Sequence, residues 1–146
     1  TVEKYVILLE QSYVIFRLNS FSRNLRNELK TSKKIYFYDN GIRNALIANF
    51  NQIEGRADRG ALWENFLISE RKKFLEYNRL WGNSWFWRTK EQNDLVEERD
   101  GKITGYEFKW NPDQKVKIPR LFLDSYENSD FQVIHRDNCD SFLLEY

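Results

Sequence analysis

The 146-residue chain contains no methionine, one cysteine, one histidine, two prolines and six glycines, and each scarcity removes a class of protein. A single cysteine, Cys139, cannot form an intramolecular bridge, so a disulfide-stapled secreted scaffold is excluded and a reducing, cytoplasmic setting is expected. With His135 as the one histidine, neither a zinc site of paired imidazoles nor a histidine-based catalytic triad is expected. No apolar run approaches the roughly 20 residues of a membrane span, and Thr1 to Glu10 lacks the regions of a signal peptide, so no membrane partner is expected. Translation starts with methionine, and a chain that opens Thr1-Val2-Glu3 is therefore expected to be a processed or truncated piece of something longer.

What is abundant is aromatic side chain: five Trp, eight Tyr and eleven Phe make up 16% of the chain, enough to bury a large core although 31% of residues are charged. The net charge of +1 is unevenly spread. Residues 1–59 hold ten Lys and Arg against six Asp and Glu, whereas residues 60–146 hold thirteen against sixteen. The asymmetry suggests two units, a connecting segment over 1–50 and a larger domain over 51–146, with the polar, glycine-containing stretch 51–60 as boundary.

In the first unit, Val2, Tyr5, Val6, Leu8 and Leu9 are spaced for a helix behind Thr1 as N-cap, and Tyr13 to Phe16 and Ile35 to Tyr38 read as strands. Asp39 and Gly41 then turn the chain into a short helix ending near Ile47. Arg17, Arg23, Arg26, Lys30, Lys33 and Lys34, opposed only by Glu28, form a basic stretch that either meets nucleic-acid phosphates or is simply a solvated face.

The second unit opens with an amphipathic helix over 61–79, whose inward stripe is read as Trp63, Phe66, Leu67, Phe74 and Tyr77 and whose polar side is Glu70 to Lys73. Strands follow over 84–89, 94–99 and 102–110, then a helix over 118–127 with Leu121, Phe122 and Tyr126 inward, a core strand over 131–134, and an edge strand near 142–146. Trp81, Trp85 and Trp87 read as core aromatics. The resulting class is α/β, with the core order helix, three strands, helix, strand.

Asp100-Gly101 is the strongest hairpin signal, since a type I′ turn needs positive φ at both central positions. A two-residue loop there pairs Arg99 with Lys102 and, counting outward, sets Asp94 against Glu107. Lys109, two residues on, shares the face of Glu107. Two opposed carboxylates repel, which calls for a cation or a raised pKa, and hard carboxylate oxygens suit Mg²⁺ or Mn²⁺. The plain alternative is a solvated cross-strand patch in which Lys109 neutralises Glu107. Glu64, beside the apolar stripe of the long helix, either reaches this sheet edge or pairs with Arg71 or a nearby lysine. Cys139 sits among acidic neighbours and reads as structural.

Glu64, Asp94 and Glu107-Phe108-Lys109, in the order αβββαβ, resemble the core of the PD-(D/E)XK nuclease superfamily, the restriction-endonuclease-like fold. That resemblance implies a divalent metal on Asp94 and Glu107, Lys109 orienting the attacking water, and Glu64 completing the shell. Longer stretches, Phe21 to Arg26, Lys34 to Asn44, Leu62 to Asn65 and Asp94 to Glu97, resemble an uncharacterised C-terminal domain of bacterial and archaeal AAA-type ATPases, which implies an N-terminal ATPase module in the same full-length chain and a winged-helix tail over the first residues. No G-x-x-x-x-G-K-[ST] occurs, so ATP hydrolysis by these residues is not expected. Nucleic acid is the implied partner. A catalytically silent module of the same fold, docking a protein or regulating the ATPase, is the competing expectation.

Overall fold

A computed structural model describes residues 1–21, 32–88 and 92–145. Five α-helices and two sheets are present among them: α1 (Val2–Gln11), β1 (Ile15–Asn19), β2 (Lys33–Phe37), α2 (Asn40–Leu46), α3 (Arg59–Tyr77), β3 (Asn83–Arg88), β4 (Gln92–Arg99), β5 (Lys102–Phe108), α4 (Arg120–Ser125), β6 (Ser129–Ile134) and α5 (Cys139–Leu144). The α/β class holds, and from α3 onward the order is helix, three strands, helix, strand.

β1 and β2 pair antiparallel as a small sheet, while β3, β4, β5 and β6 form the main sheet in that spatial order. The first three strands of the main sheet run antiparallel, and β6 joins β5 in parallel through the α4 crossover. The β4–β5 turn is the expected one. Asp100 and Gly101 have φ of 51° and 75°, and Arg99 faces Lys102.

Two apolar layers flank the main sheet. On one side Leu95, Tyr106 and Phe108 meet Trp63, Leu67 and Ile68 of α3 and Phe142 of α5, and the β1–β2 sheet closes this layer with Phe16, Leu18 and Tyr36. On the other side Trp87, Val96 and Ile103 pack on Phe122 of α4 and on Phe21. Strand alternation explains the division, with Phe86 facing α3 while Trp85 and Trp87 face α4.

Several expectations need correction. Of the edge strand expected near 142–146, Phe142 to Leu144 lie instead in α5, because Phe142 is drawn against Tyr106 and Phe108 at ring-centroid distances of 5.0 and 5.5 Å, and Tyr146 lies outside the described residues. In α3 the buried face is turned from the expected stripe: Tyr77 is 79% exposed, and Arg71, read as solvent-facing, is buried. Its guanidinium forks onto Glu97 at 3.0 Å for both nitrogens and donates to the Phe142 and Glu145 carbonyls, which compensates its desolvation. Leu121 is exposed while its neighbour Phe122 is wholly buried, because α4 is a short helix of six residues that turns one side to the sheet. Trp81 lies before β3 and is 84% exposed, not core.

Candidate functional site

Asp94 is a buried carboxylate of the main sheet, and local irregularity places it. Between the pairs Trp85–Val96 and Trp87–Asn93, two residues of β4, Asp94 and Leu95, lie against the single residue Phe86 of β3. Such a bulge interrupts alternation and re-aims a side chain. On the other edge of β4 the ladder to β5 ends at Leu95–Tyr106, one step before Asp94 and Glu107. Direct cross-strand opposition of these acids, expected from the hairpin count, is therefore not part of the ladder: the Asp94 carboxylate instead accepts the backbone N–H of Phe108 at 2.8 Å, in the seam where the strands part.

Asp94 is buried, and that burial, followed by the negative charges of Glu64 and Glu107, pushes its carboxyl up to about 6. The Phe108 N–H and the Lys34 ammonium oppose the rise. Glu107 is the penultimate residue of β5, and the ammonium of Lys109, just past its end, donates to Glu107 Oε1 at 2.6 Å. The second oxygen, Oε2, is buried and has no hydrogen-bond partner among the described residues. A carboxylate oxygen that has lost water and gained no donor is the kind of atom a bound cation would satisfy.

Glu64 projects from the second turn of α3 and pairs with neither Arg71 nor a lysine of its own helix. Its Oε1 accepts from the Tyr36 hydroxyl at 2.6 Å and from the Lys34 ammonium at 3.1 Å, both on β2. Lys34 also lies 5.4 Å from the centre of the Phe86 ring, beside the bulge. Burial, then the Glu64 charge, drives the Tyr36 hydroxyl well above its ordinary range, so it remains a hydrogen-bond donor. From the sequence Tyr36 reads only as a strand aromatic and Lys34 only as one of a basic run. The available signal was their spacing of two, which sets both side chains on one face of a strand.

Two polar groups thus act on Asp94: Glu64 with Lys34 and Tyr36 from α3 and β2, and Glu107, held by Lys109, from β5. Among the described residues no three histidine, cysteine, aspartate or glutamate side chains form a group able to hold a metal ion by themselves. Asp94 and Glu107 offer two carboxylates, and Mg²⁺ is commonly held by one or two carboxylates with waters or substrate oxygens completing its shell.

The stretch 59–139, more than half of the chain, matches a family model described as Domain of unknown function (DUF4143). The chain belongs to that family. The DUF4143 region carries Glu64, Asp94, Glu107 and Lys109, whereas Lys34 and Tyr36 fall in residues 1–53, which match a second model, Domain of unknown function (DUF8612). No curated protein and no solved structure matches the chain.

Of the basic residues expected to meet nucleic acid, Arg17 is held by Glu3 at 2.6 Å and Glu10 at 2.7 Å, and Lys33 is exposed at the start of β2. Arg23, Arg26 and Lys30 lie outside the described residues. Among the described residues no helix is long and apolar enough to cross a membrane.

Proposed function

We propose that this DUF4143 domain carries a Mg²⁺- or Mn²⁺-dependent phosphodiester-cleaving or nucleic-acid-binding site of the PD-(D/E)XK kind, on the C-terminal part of an AAA-type ATPase. The observation that carries the reading is the buried Glu107 Oε2, with no hydrogen-bond partner among the described residues, on a carboxylate whose charge acts on the buried Asp94 and which Lys109 contacts. The order helix, three strands, helix, strand, with the acids at the parting of β4 and β5, supports a restriction-endonuclease-like arrangement.

In this reading Asp94 and Glu107 hold the ion. A divalent ion there supplies Lewis-acid charge at a phosphoryl oxygen and acidifies a bound water. Lys109, already directed at the Glu107 carboxylate, orients the attacking water and balances charge developing on the phosphorus oxygens. Glu64 adds negative potential at Asp94 from the helix side.

Thermal unfolding in Mn²⁺ tests the ion site. A concentration of 100 times Kd stabilises by about 2.7 kcal/mol, or roughly 5–10 °C for a chain of this size. Asp94→Asn is expected to abolish that shift, and an unshifted wild type overturns the reading. Incubation with plasmid and single-stranded DNA in Mn²⁺, with Lys109→Ala as control, then separates turnover from binding.

A second reading, a catalytically silent module that docks a protein or regulates the ATPase, has one observation in its favour. Lys109 is already engaged by Glu107, as in an ordinary surface ion pair. It predicts metal binding without cleavage, or neither.

A further inference from the structure

Among the described residues, the groups that hold the Glu64 carboxylate come from β2, roughly thirty residues earlier in the chain and outside the DUF4143 stretch. Tyr36 is 5% exposed, stacked on Phe16 at 5.7 Å, and hydrogen-bonds Glu64 from inside the core, so its hydroxyl is a fixed point rather than a mobile surface donor. Lys34 is different. Its side chain is 21% exposed, its ammonium lies between Glu64 and the Phe86 ring, and its positive charge is felt at Asp94.

Charge balance gives the pair distinct tasks. Glu64, Asp94 and Glu107 against Lys34 and Lys109 leave one net negative charge when all are ionised. A divalent cation reverses this to one net positive charge, which a single phosphodiester monoanion neutralises. Without Lys34 the loaded site is neutral and the anion has no net attraction.

Resting on the metal-site reading above, we propose that the β1–β2 sheet is a working part of the site: Tyr36 is a positioning residue that fixes Glu64 as acceptor for the waters of a metal ion on Asp94 and Glu107, and Lys34 exchanges its contact with Glu64 for a phosphodiester oxygen of the substrate. The site is composite, with the metal donors drawn from the DUF4143 stretch and the substrate's phosphate contact from residues 1–53. An ammonium is suited to this exchange, since it is a point charge with rotatable donors on a flexible stem.

The experiment uses the full chain with two probes, Mn²⁺ alone by calorimetry and a short labelled oligothymidylate in Mn²⁺ by fluorescence anisotropy across a salt series. Tyr36→Phe keeps the stacked ring and removes only the hydroxyl. It is expected to weaken Mn²⁺ binding roughly tenfold, as loss of a group that supports a metal's ligands does, and to leave the salt slope of oligothymidylate binding as in wild type. Lys34→Gln is expected to bind Mn²⁺ at least as tightly as wild type while its oligothymidylate affinity falls and its log–log salt slope drops by about one. A generalised packing defect would lower both affinities in both variants together. If wild type binds Mn²⁺ and Asp94→Asn does not, yet Lys34→Gln retains the wild-type salt slope, the inference is overturned while the metal site stands. If wild type itself binds no Mn²⁺, the metal site falls and this assignment with it. Should Tyr36→Phe melt early, the partly exposed Lys34→Gln decides alone.

Discussion

Removing the charge of Asp94 is expected to stabilise the metal-free protein, although the substitution touches the centre of the site. The Asp94 carboxyl ordinarily titrates near 3.8 and here near 6. At about 1.4 kcal/mol per pH unit, the difference corresponds to about 3 kcal/mol. Because the folded-state value is the higher one, the folded protein binds the proton more tightly than the unfolded chain. Stability is therefore favoured below about pH 4, declines as pH rises towards about 6, and carries the whole cost of the buried charge above that. Asparagine has no such charge, and its amide oxygen can still accept from the Phe108 N–H. Urea unfolding in EDTA of wild type and Asp94→Asn, from about pH 4 to about pH 8, is expected to show similar stabilities at the acid end. The variant should become the more stable by about 3 kcal/mol near neutrality. In Mn²⁺ at about 1,000 times Kd the order reverses, because only the wild type gains binding free energy, about 4.1 kcal/mol. A variant no more stable than wild type at neutral pH in EDTA would refute the claim that burial and the Glu64 and Glu107 charges disfavour the ionised Asp94.

Two further outcomes concern the frame that carries the site. Arg71→Ala leaves Glu97 buried and charged without its fork, and a loss of about 3–5 kcal/mol in urea unfolding is expected. Gly101→Ala places a side chain where φ is +75°, and although open space surrounds it, a cost of about 1–2 kcal/mol is expected from the left-handed backbone alone, measured the same way.

The parts of the molecule legible in the sequence are those decided within a few residues. Asp100-Gly101 specifies a type I′ turn through backbone sterics, and the register that follows from it holds over every pair from Arg99–Lys102 to Leu95–Tyr106. Alternation then places Phe108 in the core and Glu107 with Lys109 off it, and divides Phe86 from Trp85 and Trp87. Legibility ends where a long-range contact outweighs a local pattern. Arg71 sits in a charged run that reads as solvated, and is buried because Glu97, 26 residues away, supplies a matching fork. Phe142 and its neighbours have an apolar pattern compatible with strand or helix, and the Tyr106 and Phe108 rings select the helix.

At the site the same division applies. Residue type and spacing alone brought Asp94, Glu107 and Lys109 to one hairpin, because the pairing of adjacent strands is a local property of turn and alternation. The β4 bulge, the capture of the Phe108 N–H by Asp94, and the reach of Tyr36 and Lys34 to Glu64 were decided only by tertiary structure. Each depends on which surfaces approach after the apolar layers close, and side chains distant in sequence become neighbours only when a core has been packed between them.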